Sequence, residues 1–465
     1  MFFLAVLAFL PKLVLGFSIA HLIWVDGRIS SLLLKFFIGI PLGMGIASFL
    51  LFFSKWAALD HPTCIVIELA VVAAAATLML LKRGNPFGKI TFDMDAALMK
   101  QNRGMLAILV LAIIISLIGF FTTVILYPHG REDAWSNWNL IARFIYHSDD
   151  LSNALGYIEA SSFPGYPFMI GLDVASGWIF VNTATTRIPI ILAGLFTFSI
   201  PAILFFGLFK TRGIRVASIA AILVMGPWLS QQGSFLMSDV PMAAYYLGAG
   251  VLISLYHRDE EPGLATLAGL LAGFSGWVKN DGTPFVLITS LMMLVMSLRK
   301  RDATGIIRFV IGLALPLAVV LTYREFLAAP GNIVTSAGDM LPRLLDADRI
   351  QTVLVFFLKQ TYLFGSPAYA YTLILLAILL VGGVDFRNEN ALFIALIFLL
   401  QYAAYFAVYL ITPLDLLWHL NSSMPRVFVH IAPLLAFAVF SLVRKQNLFP
   451  LKQQPSAATS KPTVD

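Results

Sequence analysis

The feature that most limits what this chain can become is the recurrence of apolar runs close to the roughly 20 residues an α-helix needs to cross a hydrocarbon core. They fall at 2–24, 31–53, 64–81, 105–127, 186–209, 216–232, 240–256, 263–278, 283–298, 306–324, 368–384, 391–411 and 425–443. Two further stretches, 166–181 and 350–364, are short and bordered by charge or by Pro and Gly, which places them as re-entrant or interfacial segments. Backbone polar groups cannot be left unpaired in lipid, so every span must be a helix. The expected fold is all-α: a polytopic transmembrane helical bundle of about 13 spans, with interfacial or re-entrant helices in external loops. Pro11-Lys12 interrupts the first run and no small-residue cleavage site follows it, so it reads as a retained helix and not a signal peptide.

Composition agrees. Hydrophobic residues make up 59% of the chain and charged residues 12%, against about a quarter charged in soluble domains, and mean hydropathy is +0.87. The single cysteine, Cys64, excludes an internal disulfide framework and a multi-cysteine metal site. A net charge of +6 carries no nucleic-acid signature, because no long basic run exists and Lys and Arg collect in cytoplasmic loops of membrane proteins. Alternate loops are indeed basic: Lys82, Arg83, Lys89, Lys100 and Arg103; Lys210, Arg212 and Arg215; Arg299, Lys300 and Arg301; Arg444 and Lys445. The opposite loops, 128–165, 233–239, 325–349 and 412–424, are mixed or acidic and are expected outside, with an external N-terminus and a cytoplasmic C-terminus. Three regions follow: N-terminal hairpins with a basic cytoplasmic loop (1–104), a main transmembrane module (105–445) and a polar tail (446–465) expected to be disordered.

The external loops hold the residues that carry chemistry. Glu132 and Asp133 stand a few residues beyond the span 105–127, available as a general base or as a solvated acidic cap. Trp135 and Trp138, three apart, are expected on one face of an interfacial helix that Arg143 and Tyr146 continue. Asp239, two residues before Pro241 at the head of an apolar run, reads as a helix N-cap or as a functional carboxylate. Lys279-Asn280-Asp281-Gly282 is a hairpin turn or a cation set at headgroup level, where a lysine acts as a point charge for phosphate. His419, Ser422, Ser423 and Arg426 gather at the start of the last span, and His430 falls one turn further on the face of Arg426. An ionisable residue within a span defaults to a functional hypothesis.

Four segments, DAWSNWNLIARFIY (133–146), SDVPMAAYYL (238–247), GWVKNDG (276–282) and TPLDLLWHLNSSMPRVFVHIAP (412–433), resemble in order the polytopic C-type (GT-C) glycosyltransferases that use polyprenyl-phosphate-linked sugars. That superfamily includes protein O-mannosyltransferases and the aminoarabinose transferase of lipid A. FPGYPFMIGL (163–172) resembles the Tyr-Pro lead-in to the next helix, and the similarity runs from about 105 to 445. The chain departs from the pattern at Leu417, at Pro425 and at Asp281, which stands where Glu is commoner.

The resemblance implies an inverting transferase at the external, periplasmic face of the cell membrane, acting on a glycan, lipid or protein acceptor. Asp133 would be the catalytic base with Glu132 beside it, Lys279, His419 and Arg426 would bind the donor phosphate, and Asp239 and Asp281 would serve the acceptor or a metal. Mg2+ or Mn2+ held by Glu132, Asp133 and Asp239 is an alternative to an all-protein cation site. The competing readings are a polytopic transporter or lipid flippase, and a catalytically inactive scaffold.

Overall fold

The computed structural model describes residues 2–88, 90–158, 165–328, 337–365 and 370–444. Lys89 and Lys445 of the basic loops, Phe163 and Pro164 of the lead-in segment, and the expected disordered tail 446–465 lie outside the described residues. Among the described residues nine helices are long and apolar enough to cross a membrane, or up to ten if the bent pair Ile214–Val224 and Pro227–Ser234 forms one span. That pair turns by 53° at Gly226-Pro227, where proline lacks an N–H and pushes its predecessor out of helical conformation. β-Structure among the described residues is confined to two isolated bridges, Arg28 with Thr91 and Val384 with Val443.

This is a multi-pass helical membrane protein. The helix Arg103–Leu126 shows why: only 17% of its most apolar window is buried, and Ile108, Leu111, Ile115, Ile118 and Ile125 all face outward. An apolar surface of that extent is stable only against lipid or another protein. Interior contacts follow the same logic. A Cβ on Gly16 would lie 1.8 Å from the Gly39 carbonyl oxygen, and one on Gly43 would lie 1.9 Å from that of Lys12. Only glycine lets the helices Leu10–Ile23 and Ile29–Trp56 approach so closely, which is how helices gain packing energy where no hydrophobic drive separates protein from lipid.

The helix ends gather at two poles. At one, Lys210 pairs with Asp26, Arg83 donates to the Leu22 carbonyl and Lys300 pairs with Glu260. At the other, Lys55 donates to the Ser148 carbonyl, the Arg131 N–H to that of Phe235, and Asn280 to that of Gly165. The helix Met169–Val181 stays at this second pole, packed along Asn139–His147, with Trp178 against Tyr146 and Gly171 against Ile141.

The segment 350–364, expected to be re-entrant or interfacial, does not lie along the surface. The helix Ala347–Leu363 starts at the second pole, where Arg349 donates to the Tyr409, Leu410 and Thr412 carbonyls, and then runs inward with Phe357 on Phe428. Tyr371–Gly382 continues it: the Tyr371 N–H reaches the Phe364 carbonyl, its hydroxyl reaches that of Ala432, and Val384 meets Val443 at the first pole. Twelve residues at about 1.5 Å each reach about 18 Å, short of the roughly 30 Å core. The described helix of the run 368–384 is therefore shorter than one traverse.

Candidate active site

Four remote pieces of chain meet at the second pole. Asp133 precedes a π-helical turn, Ala134–Trp138; such turns recur at functional sites. Their wider register overturns the expectation that Trp135 and Trp138 share a face. Trp138 is buried and stacks on Tyr166 with ring centroids 5.8 Å apart, whereas Trp135 is 55% exposed. The same turn buries the Asn137 amide with neither polar atom partnered among the described residues, a cost tolerated mostly where function demands it.

Asp239 is the first residue of the helix Asp239–Asp259, and its side chain does not cap that helix. It turns instead to three donors: Arg426 Nε at 2.8 Å, His430 Nε2 at 2.8 Å and Lys279 Nζ at 3.3 Å. At 1% exposure Asp239 is the buried hub of the cluster. Arg426 bridges outward, its other edge bonded to Asp133, whose side chain stays 27% exposed. Asp133, Arg426 and Asp281, at 27%, 20% and 24% side-chain exposure, are thus the members that solvent or a ligand can reach, and Asp133 is the most open of them.

The Lys279–Gly282 segment is both a tight turn and a cation site. Gly282 is required because a Cβ there would lie 2.1 Å from the Ser275 carbonyl oxygen. Asn280 and Thr283 are held by Arg324 at 3.0 and 2.6 Å. So fixed, Lys279 Nζ lies 3.0 Å from Asp281 and 5.9 Å above the Tyr166 ring. Burial alone would lower the Lys279 ammonium, but Asp281 and Asp239 outweigh it and hold the pKa above the ordinary value. Burial likewise works to raise Asp281, and Lys279 reverses this so that it is held below the usual aspartate range. Burial pushes the Tyr166 phenol up to about 12 against the pull of Lys279, leaving it a neutral wall.

Behind Asp239 runs a chain of hydroxyls that the sequence pattern did not single out. His430 Nδ1 lies 2.9 Å from the Tyr405 hydroxyl, which lies 3.2 Å from that of Tyr246. Tyr246 donates its one proton to the Asp281 carbonyl and accepts from Gln401. Tyr405 can therefore donate to a neutral His430, or accept from a protonated one and turn its own proton to Tyr246. Either state of His430 is satisfied. Helical spacing was the available signal: Tyr246 lies two turns after Asp239, and Gln401 and Tyr405 lie one turn apart.

Glu132 and His419 remain outside the ion-pair network. Glu132 is exposed, and only its backbone carbonyl is engaged, by Ser136. His419 bonds Thr412 at 3.0 Å and lies against Tyr409. Among the described residues no group of three or more acidic, His or Cys side chains could hold a metal ion. The set Glu132, Asp133 and Asp239 does not fit one, because Glu132 points elsewhere and Arg426 occupies an oxygen of each aspartate. The cations of the network that could meet an anion here are Lys279 and Arg426. No family model matches the chain, and neither curated proteins nor solved structures yield a relative. The site therefore has to be read from its own geometry.

Proposed function

We propose that this chain is a membrane glycosyltransferase that moves a sugar from a polyprenyl-phosphate donor to an acceptor hydroxyl at the external face of the cell membrane, with inversion. The observation that carries the reading is the meeting of Asp133, Asp239, Lys279, Asp281 and Arg426 at one pole, although 293 positions separate Asp133 from Arg426. A transporter of the alternating-access type wants its ions near the midplane, and this cluster lies at the helix ends. The chain crosses the bilayer about 13 times, with the basic loops cytoplasmic and the cluster outside. Single cysteines placed in 128–156 or 412–424 of a Cys64→Ser protein should then react with an impermeant thiol reagent in intact cells; labelling only after lysis would reverse the orientation.

The acceptor oxygen attacks the anomeric carbon, the bond from that carbon to the phosphate oxygen breaks, and the acceptor proton passes to Asp133. The leaving phosphate takes the electron pair and needs fixed cations beside it. Arg426 and Lys279 supply them from the anchor Asp239, which is saturated and too buried to act as a base. Arg426 holds Asp133 on one edge and Asp239 on the other. A donor phosphate drawn to the outer edge displaces Asp133 and frees its carboxylate for the incoming hydroxyl. The lipid tail fits an apolar groove of about 790 Å³ between the helices Phe2–Leu7, Ile29–Trp56, Arg103–Leu126 and Arg187–Arg212, lined by Phe37, Leu109, Ile113, Phe120, Phe198 and Phe206. Phe120 also packs in one cluster with Ala134, the residue after Asp133. Incubating purified protein with radiolabelled polyprenyl-phosphate sugars and candidate acceptors tests the proposal: transferred label supports it, and no transfer from any donor of this class removes it.

A further inference from the structure

A second concavity opens beside the turn that follows Asp133. It encloses about 410 Å³, and its walls include Trp135, Asn139, Arg143, Trp178, Thr185 and His129. Trp178 is 3% exposed and immobilised, its indole N–H on the Thr185 carbonyl at 2.8 Å and its ring edge-on to Tyr146 at 6.0 Å. Trp135 instead leaves its indole largely uncovered. Asn139 is 9% exposed, yet among the described residues its amide has no partner, and neither Arg143 nor His129 has a hydrogen bond or ion pair. Among the described residues no carboxylate lines the pocket.

Each feature narrows the ligand. The open indole of Trp135 offers a flat apolar face with a polar handle, the surface on which the C–H face of a pyranose can rest, and the fixed Trp178 forms part of the wall. An unpaired amide and threonine hydroxyls match ring hydroxyls, both as donors and as acceptors. An arginine with no counter-charge in its pocket presents a planar fork suited to a carboxylate or phosphate. A few convergent polar groups on an aromatic-lined concavity of this size are the usual make-up of a small-molecule site. The Asp133 turn itself contributes one wall, through Trp135.

We propose that this pocket binds a saccharide ring bearing an anionic substituent, and that it is the acceptor subsite; only the word acceptor rests on the transferase reading. Binding is measurable without donor, by saturation-transfer NMR on the full-length protein in nanodiscs. The probes are a glucuronate-terminated disaccharide, a sugar phosphate, the neutral glucose-terminated disaccharide and inorganic phosphate. The glucuronate and phosphate sugars distinguish which anion the fork prefers. At least one anionic sugar should bind roughly ten- to hundred-fold more tightly than the neutral one, the worth of a charged hydrogen bond. Arg143→Gln should abolish that preference, Arg143→Lys should restore part of it, and Trp135→Ala should weaken anionic and neutral sugars alike. Equal binding of neutral and anionic sugars, no saturable binding of any sugar, or indifference to both the Arg143→Gln and Trp135→Ala changes overturns the proposal. Inorganic phosphate binding as tightly as the sugar phosphate overturns the saccharide part. Binding without any transfer from labelled donors leaves the pocket standing and removes the enzyme, whereas transfer with an acceptor KM unmoved by Arg143→Gln leaves the enzyme standing and overturns the acceptor assignment of the pocket.

Discussion

Asp239 and Asp26 occupy opposite poles of the bundle, and each accepts three donors. Asp26 takes Arg28 at 2.7 Å, Ser31 at 2.6 Å and Lys210 at 3.0 Å; Asp239 takes Arg426, His430 and Lys279. The construction differs. Two of the donors to Asp26 lie within five residues of it, so the loop organises its own charge and Lys210 merely fastens a helix end to it. Every donor to Asp239 is at least 40 positions away, and the network continues in one direction to a partly exposed carboxylate and in the other to an imidazole and two tyrosines. A fastening needs only to be satisfied. A reacting site needs a member that stays reachable and others that can change state around it.

The largest effect expected from this contrast is on turnover. Asp133→Asn keeps the shape and the Arg426 contact but cannot take a proton, so transfer should fall by about 10²–10⁴-fold, while insertion and donor binding persist. Asp26→Asn should leave turnover unchanged, and Glu132→Gln, being outside the network, should be mild. Near-normal transfer by Asp133→Asn would break the comparison at its centre.

Next in size is stability. Arg426→Ala strips a buried aspartate of a partner, a change that costs about 3–5 kcal/mol in comparable settings, and the apparent Tm in micelles should drop accordingly. The KM for donor in the surviving protein should rise. Arg28 is half-exposed, so Arg28→Ala should cost only about 0–1 kcal/mol. Equal losses in the two variants would show that the poles are energetically alike.

The smallest effect is on the acid side. Asp281 and Asp26 both lie outside the spans. Burial works to raise each carboxyl, and it is overcome at Asp281 by Lys279 and at Asp26 by the hydrogen bonds from Arg28 and Ser31, so both are held below the ordinary value of 3.8. A depressed folded-state pKa contributes stability that is fully present above the unfolded value and lost as pH falls through the folded one. Stability should therefore decline below about pH 4, less steeply in Asp281→Asn and in Asp26→Asn. The two changes should add, since the groups share no partner. A decline untouched by either substitution would place the acid-sensitive groups elsewhere.

Much of this was legible in the chain. The apolar runs mark helices because lipid permits little else, and the charged residues between them could be assigned to two poles from loop composition. Asp133, Asp239, Lys279 and Arg426 stand out for the same reason: a charge beside an apolar run is costly enough to be noticed. Tyr246, Tyr405 and Gln401 were overlooked because neutral polar groups in a span are cheap when paired, and their partners lie on other helices. Asp239 was open to an N-cap reading because local spacing says nothing of Arg426, 187 positions on. Trp135 and Trp138 were expected on one face because sequence spacing assumes an α-helical turn, and here the turn is π-helical. The inward course of Ala347–Leu363 was not legible because its contacts, with Tyr409, Thr412 and Phe428, lie on other parts of the chain.

The sparsely packed helix Arg103–Leu126 has a consequence for how such a protein must be handled. It borders the apolar groove while most of its own circumference touches no other part of the described residues. In a bilayer without a partner protein, acyl chains would supply the missing wall, so the surrounding lipid would act as part of the tertiary structure. Bilayer thickness and chain saturation then tune the groove from outside. Stripping annular lipid during purification should unsettle this helix first, with faster amide exchange there than in the buried Asp239–Asp259 helix.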